Sequence, residues 1–165
     1  MSKEITTYRE SVNLFALARQ LQERYYLHLG YIDMDVIYFA DKIGDKPVKA
    51  PVIEVSGVRS SWVRQILSNT ANNKLYCIAV WFSEWSELPY NQQEWLMFDT
   101  LYSIGVENDG KIKSKDVCEH GVIADYLGVY WRQNNDLPSL LNSPEPLPIP
   151  PPPSLHDDEG STVDF

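Results

Sequence analysis

The stretch from Asp136 to Phe165 limits the fold more than any other, because eight of the chain's eleven prolines fall within it. Proline fixes φ and lacks a backbone donor, so Leu137–Pro153 (LPSLLNSPEPLPIPPPP) can enter neither a helix nor a central strand. The expectation is an extended polyproline II spacer, rising roughly 3.1 Å per residue and standing off a folded body. Beyond it, Ser154–Phe165 (SLHDDEGSTVDF) holds four acids and no Lys or Arg, and ends on an aromatic ring. A solvating tail gains nothing from such an end. The segment therefore reads as a partner-binding tip, suited to a basic, aromatic-lined pocket on another protein.

Three regions follow: a body over 1–135, a linker over 136–153 and an interaction tip over 154–165. A body of this length can bury one real core. All fourteen Lys and Arg precede Asp136, together with seventeen of the 23 acids, so the body is near −3 and the remainder near −6 of the total −9. A nearly neutral body gives no charge-based argument for nucleic acid. Cys77 and Cys118 form no spaced framework and point to a reducing cytoplasm, that of a bacterial host cell in the reading below. Neither a signal peptide nor an apolar run of membrane-spanning length is present, so no membrane partner is expected. No feature specifies an oligomeric state.

Hydrophobic spacing lays out the body. Leu14, Leu17, Ala18, Leu21 and Tyr25 recur every three or four residues, predicting a helix over Tyr8–Leu29 with Gly30 as its stop. Ile32, Met34 and Val36 alternate with Asp33 and Asp35, predicting a half-buried strand over Tyr31–Phe39. Lys42–Pro51 reads as a loop, Val52–Val58 as a second strand and Ser61–Leu67 as a short helix or turn. Leu75–Phe82 (LYCIAVWF) is apolar almost throughout, as a central strand covered on both faces would be. Asn91–Ile104 reads as a helix after Pro89, and a last helix from Ser114 to Leu127 ends at Gly128. The fold class expected is α+β: a small mixed sheet packed by about four helices, with a disordered C-terminal tail.

Two resemblances add to this reading. The proline-rich linker followed by Asp157, Asp158, Glu159, Asp164 and Phe165 resembles the C-terminus of bacterial and phage single-stranded DNA-binding proteins. In that family the tip recruits replication and repair proteins, with the last Phe as anchor; here Val163-Asp164 replaces the usual Ile-Pro before it. The body from Trp85 to Trp131 resembles the phage-encoded metallopeptidase-like family of small zincin-like domains. The shared outline is Trp85-Ser-Glu-Leu-Pro, the helix Gln92–Ile104, the turn Asp109-Gly-Lys, Asp116-Val117, and Gly128-Val-Tyr-Trp131.

That resemblance implies a His-Glu-x-x-His zinc helix, which works because histidines at i and i+4 share one face and the Glu polarises the metal-bound water. In this chain the first His position is Asp99, the Glu position Thr100, the second His position Ser103 and the third-ligand position Lys115. Serine is a poor zinc ligand and an ammonium repels the cation. The expectation is a degenerate former zinc site, a pseudoenzyme with no catalytic residues, no metal and no cofactor. A residual metal-dependent hydrolase using Asp99, Asp116 and His120 is the minor alternative, with Asp116 and His120 expected four apart on one helix.

Rings beside basic residues suit single-stranded nucleic acid, because bases stack while Lys or Arg tracks phosphates. Trp85, Tyr90 and Trp95 bracket a loop and a helix start, and Lys111, Lys113 and Lys115 form a basic run, with Arg132 further on. These seven residues are the expected nucleic-acid surface, whereas Trp81 and Trp131 are assigned to the core. The functional expectation is a non-catalytic, phage-type protein that binds single-stranded DNA and recruits a replication or repair protein through its tip. An inhibitor of a host defence or replication protein is the alternative from another class.

Overall fold

The computed structural model describes residues 7–30, 32–57, 74–105 and 120–149. Among them the chain forms β1 (Thr7–Glu10), α1 (Val12–Arg24), α2 (Tyr26–Leu29), a 3-10 turn (Met34–Val36), β2 (Ile37–Ile43) and β3 (Ile53–Gly57). β4 (Tyr76–Trp81), α3 (Phe82–Glu87), α4 (Tyr90–Gly105), α5 (Gly121–Leu127) and a second 3-10 turn (Trp131–Gln133) follow. The four strands make one mixed sheet in the order β1-β2-β4-β3. β4 runs parallel to β2 and antiparallel to β3, while β1 closes the far edge antiparallel to β2. The fold is mixed α/β, as the periodicities predict.

β4 justifies its apolar sequence. All six of its residues are buried. Tyr76, Ile78 and Val80 face the main core with Ile37 and Phe39, while Cys77 and Ala79 meet Tyr38 and Ala40 on the opposite face. The main core lies between the sheet and the helices, where α1 packs on α4 through Leu14, Leu17, Ala18 and Leu21, the residues its spacing singled out. Helix α4 is buried nearly all round: Trp95, Leu96, Met97, Phe98, Leu101, Tyr102 and Ile104, but also Gln92, Glu94, Asp99, Thr100 and Ser103. A helix of that kind needs cover on every side.

Three boundaries depart from expectation, each for a local reason. Thr7–Glu10 is an edge strand rather than the first helical turn, with Arg9 opposite Asp41 and paired to it at 3.1 Å. Ser11 then caps α1 by accepting from the Leu14 N–H at 3.3 Å, so the helix starts at Val12. The second strand begins at Ile37, because the Asp33 side chain accepts from the Asp35 N–H at 2.9 Å and winds Met34–Val36 into a turn. The strand therefore takes in Lys42 and Ile43, expected as loop. The last helix does not run through His120, whose extended backbone (φ −69°, ψ 131°) serves as the N-cap of α5. The expected helix or turn at 61–67 and the start of the last helix at Ser114 lie outside the described residues.

The largest correction concerns the tail. Residues 136–149 form no helix or strand, yet they lie on the body as a strap, burying Leu137, Leu140 and Ile149 in the main core. The expected break at 135/136 is not where the body ends. Apolar cover for α4 outweighs the freedom of a spacer: a fully buried Leu is worth about 2 kcal/mol. Pro150–Phe165, including the tip residues Asp157, Asp158, Glu159, Asp164 and Phe165, lies outside the described residues. Among the described residues no helix is long and apolar enough to cross a membrane.

Candidate functional site

Of the four residues expected at a degenerate zinc site, Asp99 and Ser103 lie together, Thr100 turns away from them, and Lys115 lies outside the described residues. Helical spacing puts Asp99 and Ser103 on one face of α4, and the N-cap of α5 brings His120 against them. Ser103 Oγ lies 2.7 Å from His120 Nε2, Asp99 Oδ1 lies 3.9 Å from the same nitrogen, and Arg132 donates to Asp99 Oδ2 at 2.6 Å. The Tyr102 ring meets the His120 ring edge-on at 5.0 Å. Asp99 is only 2% exposed, and Ser103 and His120 are buried with it. Thr100, at the position of the expected catalytic Glu, turns its hydroxyl back to the Leu96 carbonyl at 2.8 Å.

This arrangement differs from what either chemistry needs. A nucleophilic triad has its carboxylate on the ring nitrogen away from the serine, whereas Asp99 and Ser103 both approach Nε2. A cation site needs converging unpaired donors, whereas a guanidinium already sits on the Asp99 carboxylate. Among the described residues no three His, Cys, Asp or Glu side chains come together. Asp116, offered as a donor in the hydrolase alternative, lies outside them. Burial pushes the Cys77 thiol up to about 12, far from a reactive thiolate, despite Lys42 nearby.

The expected stacking surface is largely interior. Trp95 is fully buried, among Phe98, Tyr126 and Trp131, and its Nε1 donates to the Pro138 carbonyl at 2.8 Å. Trp85 is 6% exposed, so these two indoles are corrected from surface to core. Tyr90 alone of the three rings is open, at 49%. Arg132 is tied to Asp99 and stacks over Trp131 at 5.1 Å. Trp81 and Trp131 are core, as expected. Lys111, Lys113 and Lys115 lie outside the described residues.

A second constellation, which spacing did not reveal, holds the strap. Glu94, wholly buried on α4, accepts from the Leu140 N–H at 2.6 Å, the Leu141 N–H at 3.4 Å and the Ser139 hydroxyl at 3.1 Å. Asn91 donates to the Leu137 carbonyl at 2.8 Å, and Tyr25 Oη donates to the Leu140 carbonyl at 2.8 Å and accepts from the Leu147 N–H at 3.2 Å. Arg24 donates to the Ser143 carbonyl. Burial raises the Glu94 carboxyl above the usual range, opposed by those strap donors and by Arg24. The one legible signal is an acid immediately before the apolar run Trp95-Leu-Met-Phe, on a helix that is buried nearly all round.

The strap ends beside His28 of α2, a buried ring edge-on to Phe98 at 5.9 Å. Burial lowers its pKa below 6.5, and a backbone hydrogen bond with Ile149 opposes the shift. A depressed histidine pKa means that the unfolded chain takes the proton first. Stability is therefore full above about pH 6.5 and is lost as pH falls toward the folded value. Urea unfolding at pH 7 and pH 5 should show a loss of stability at the lower pH that His28→Gln removes. An equal loss in that variant would assign the effect elsewhere.

No known protein family, curated protein or solved structure matches the chain.

Proposed function

We propose that this chain is a non-catalytic, phage-type binding protein on a zincin-like scaffold, recruiting a replication or repair protein through its acidic, Phe-ended tip. The observation that carries the non-catalytic part is the Arg132–Asp99–His120–Ser103 network: a buried carboxylate is neutralised by a guanidinium where the metallopeptidase resemblance calls for a ligand. The tip reading rests on the sequence of 154–165, and it gains support from the strap, which anchors the arm at Ile149 so that the remaining sixteen residues begin from a defined place. At roughly 3.1 Å per residue that length reaches about 50 Å if extended.

Single-stranded DNA as the body's own ligand keeps Tyr90 and the three lysines but loses both indoles, so protein recruitment is the stronger half of the reading. Pull-down from bacterial lysate with the full chain, a chain lacking 154–165 and Phe165→Ala separates the parts. The expected result is a discrete partner that disappears with the deletion and falls at least about tenfold with Phe165→Ala, since a central aromatic anchor contributes 2 kcal/mol or more. A partner retained by the deleted chain defeats the tip reading. Titration of a labelled oligothymidine at low and high salt decides the DNA part, which fails if nothing binds at low salt.

A further inference from the structure

Apart from the Ser139 and Ser143 hydroxyls, the hydrogen bonds that hold the strap fall on its main chain. Carbonyls of Leu137, Pro138, Leu140 and Ser143 accept from Asn91, Trp95, Tyr25 and Arg24, while the N–H groups of Leu140 and Leu141 converge on Glu94. The partners on the body are side chains of α1, α4 and Tyr25, and the strap adds no strand to the sheet. Side-chain identity enters mainly through Leu137, Leu140 and Ile149, each buried. This is how a protein surface recognises an extended peptide, with hydrogen bonds to the backbone and apolar pockets for a few anchors.

Two further features favour a ligand over a fixed part of the core. An open cleft of about 510 Å3, lined by Gln20, Glu23, Arg24, Tyr90, Leu141 and Asn142, borders the strap at its middle. At its start, the Asp136 N–H donates to the Asn134 side chain at 2.9 Å in an exposed turn. Pro138, Pro144, Pro146 and Pro148 keep a released strap extended, which lowers the cost of docking again.

We propose that this seat is a peptide-binding site, filled at rest by residues 137–149 and exchangeable for an extended, leucine-bearing segment of a protein partner. Glu94 is the fixed acceptor of the site, and the anchors are leucines spaced as Leu137 and Leu140 are. The inference does not depend on the tip's partner, because every residue of the seat belongs to the body.

The test uses the full chain and a fluorescein-labelled peptide of residues 136–149. A tethered strap competes at about millimolar effective concentration, so wild type should take up the peptide weakly. The full chain with Leu140→Asp, its own strap weakened, should bind at least about tenfold more tightly. Adding Glu94→Ala to that chain should return the affinity to the wild-type level or below. A Leu140→Asp chain with native near-ultraviolet circular dichroism that ignores the peptide overturns the proposal, as does binding indifferent to Glu94→Ala. Should Leu140→Asp not fold, amide exchange of the wild type decides. Leu140 and Leu141 exchanging well before Ile78 and Val80 supports a releasable strap, and equal protection overturns it.

Discussion

Trp95→Ala should cost about 4 kcal/mol of stability, read as a shift of the urea midpoint at unchanged slope. The indole is fully buried, touches Phe98, Tyr126 and Trp131, and donates to the strap at Pro138. Its removal leaves a cavity between α4 and α5 and strands one carbonyl. Trp95→Phe should recover roughly half, because it restores ring packing without the donor. A loss under about 1 kcal/mol for Trp95→Ala would mean that this ring is not interior, and the DNA-stacking reading would regain it.

The second large effect concerns Asp99 and Arg132. Arg132→Met leaves the Asp99 carboxylate buried without its guanidinium and should destabilise the chain by about 3 kcal/mol. The double change Asp99→Leu with Arg132→Met removes both charges and should be milder than the sum of the singles by about 1–3 kcal/mol. Thermal unfolding of the four chains completes the cycle. Additive losses would show that the 2.6 Å contact has no energetic weight. The same chains speak to function: if Arg132→Met created divalent-ion binding seen by calorimetry, the guanidinium would be what keeps a cation out.

Elements governed by one strong local pattern were legible in the sequence. β4 lies in the sheet interior because six consecutive apolar residues admit nothing else, and the face of α1 follows from Leu14, Leu17, Ala18 and Leu21. Boundaries set by a single side chain were not. Ser11 and Asp33 each redirect the backbone by one hydrogen bond, and hydrophobic spacing carries no trace of it. The Asp99–Ser103 site was legible as a set of positions on α4, but not as a network, because Arg132 reaches Asp99 across 33 residues of sequence. The indoles were misplaced for a related reason: Trp85 and Trp95 flank a proline-containing turn and so look peripheral, while the cover that buries Trp95 arrives from Pro138. Composition hid the strap. A proline-rich stretch cannot supply regular structure, but it can still deliver leucines to a core.

The docked strap also supplies part of the hydrophobic interior only after every described helix and strand has been synthesised. Until residue 149 has cleared the exit tunnel, Trp95, Tyr25 and Glu94 lack their lid, and folding cannot finish vectorially from the N-terminus. A nascent chain of this kind passes through an interval in which its most apolar helix is uncovered, and a chaperone would meet it there.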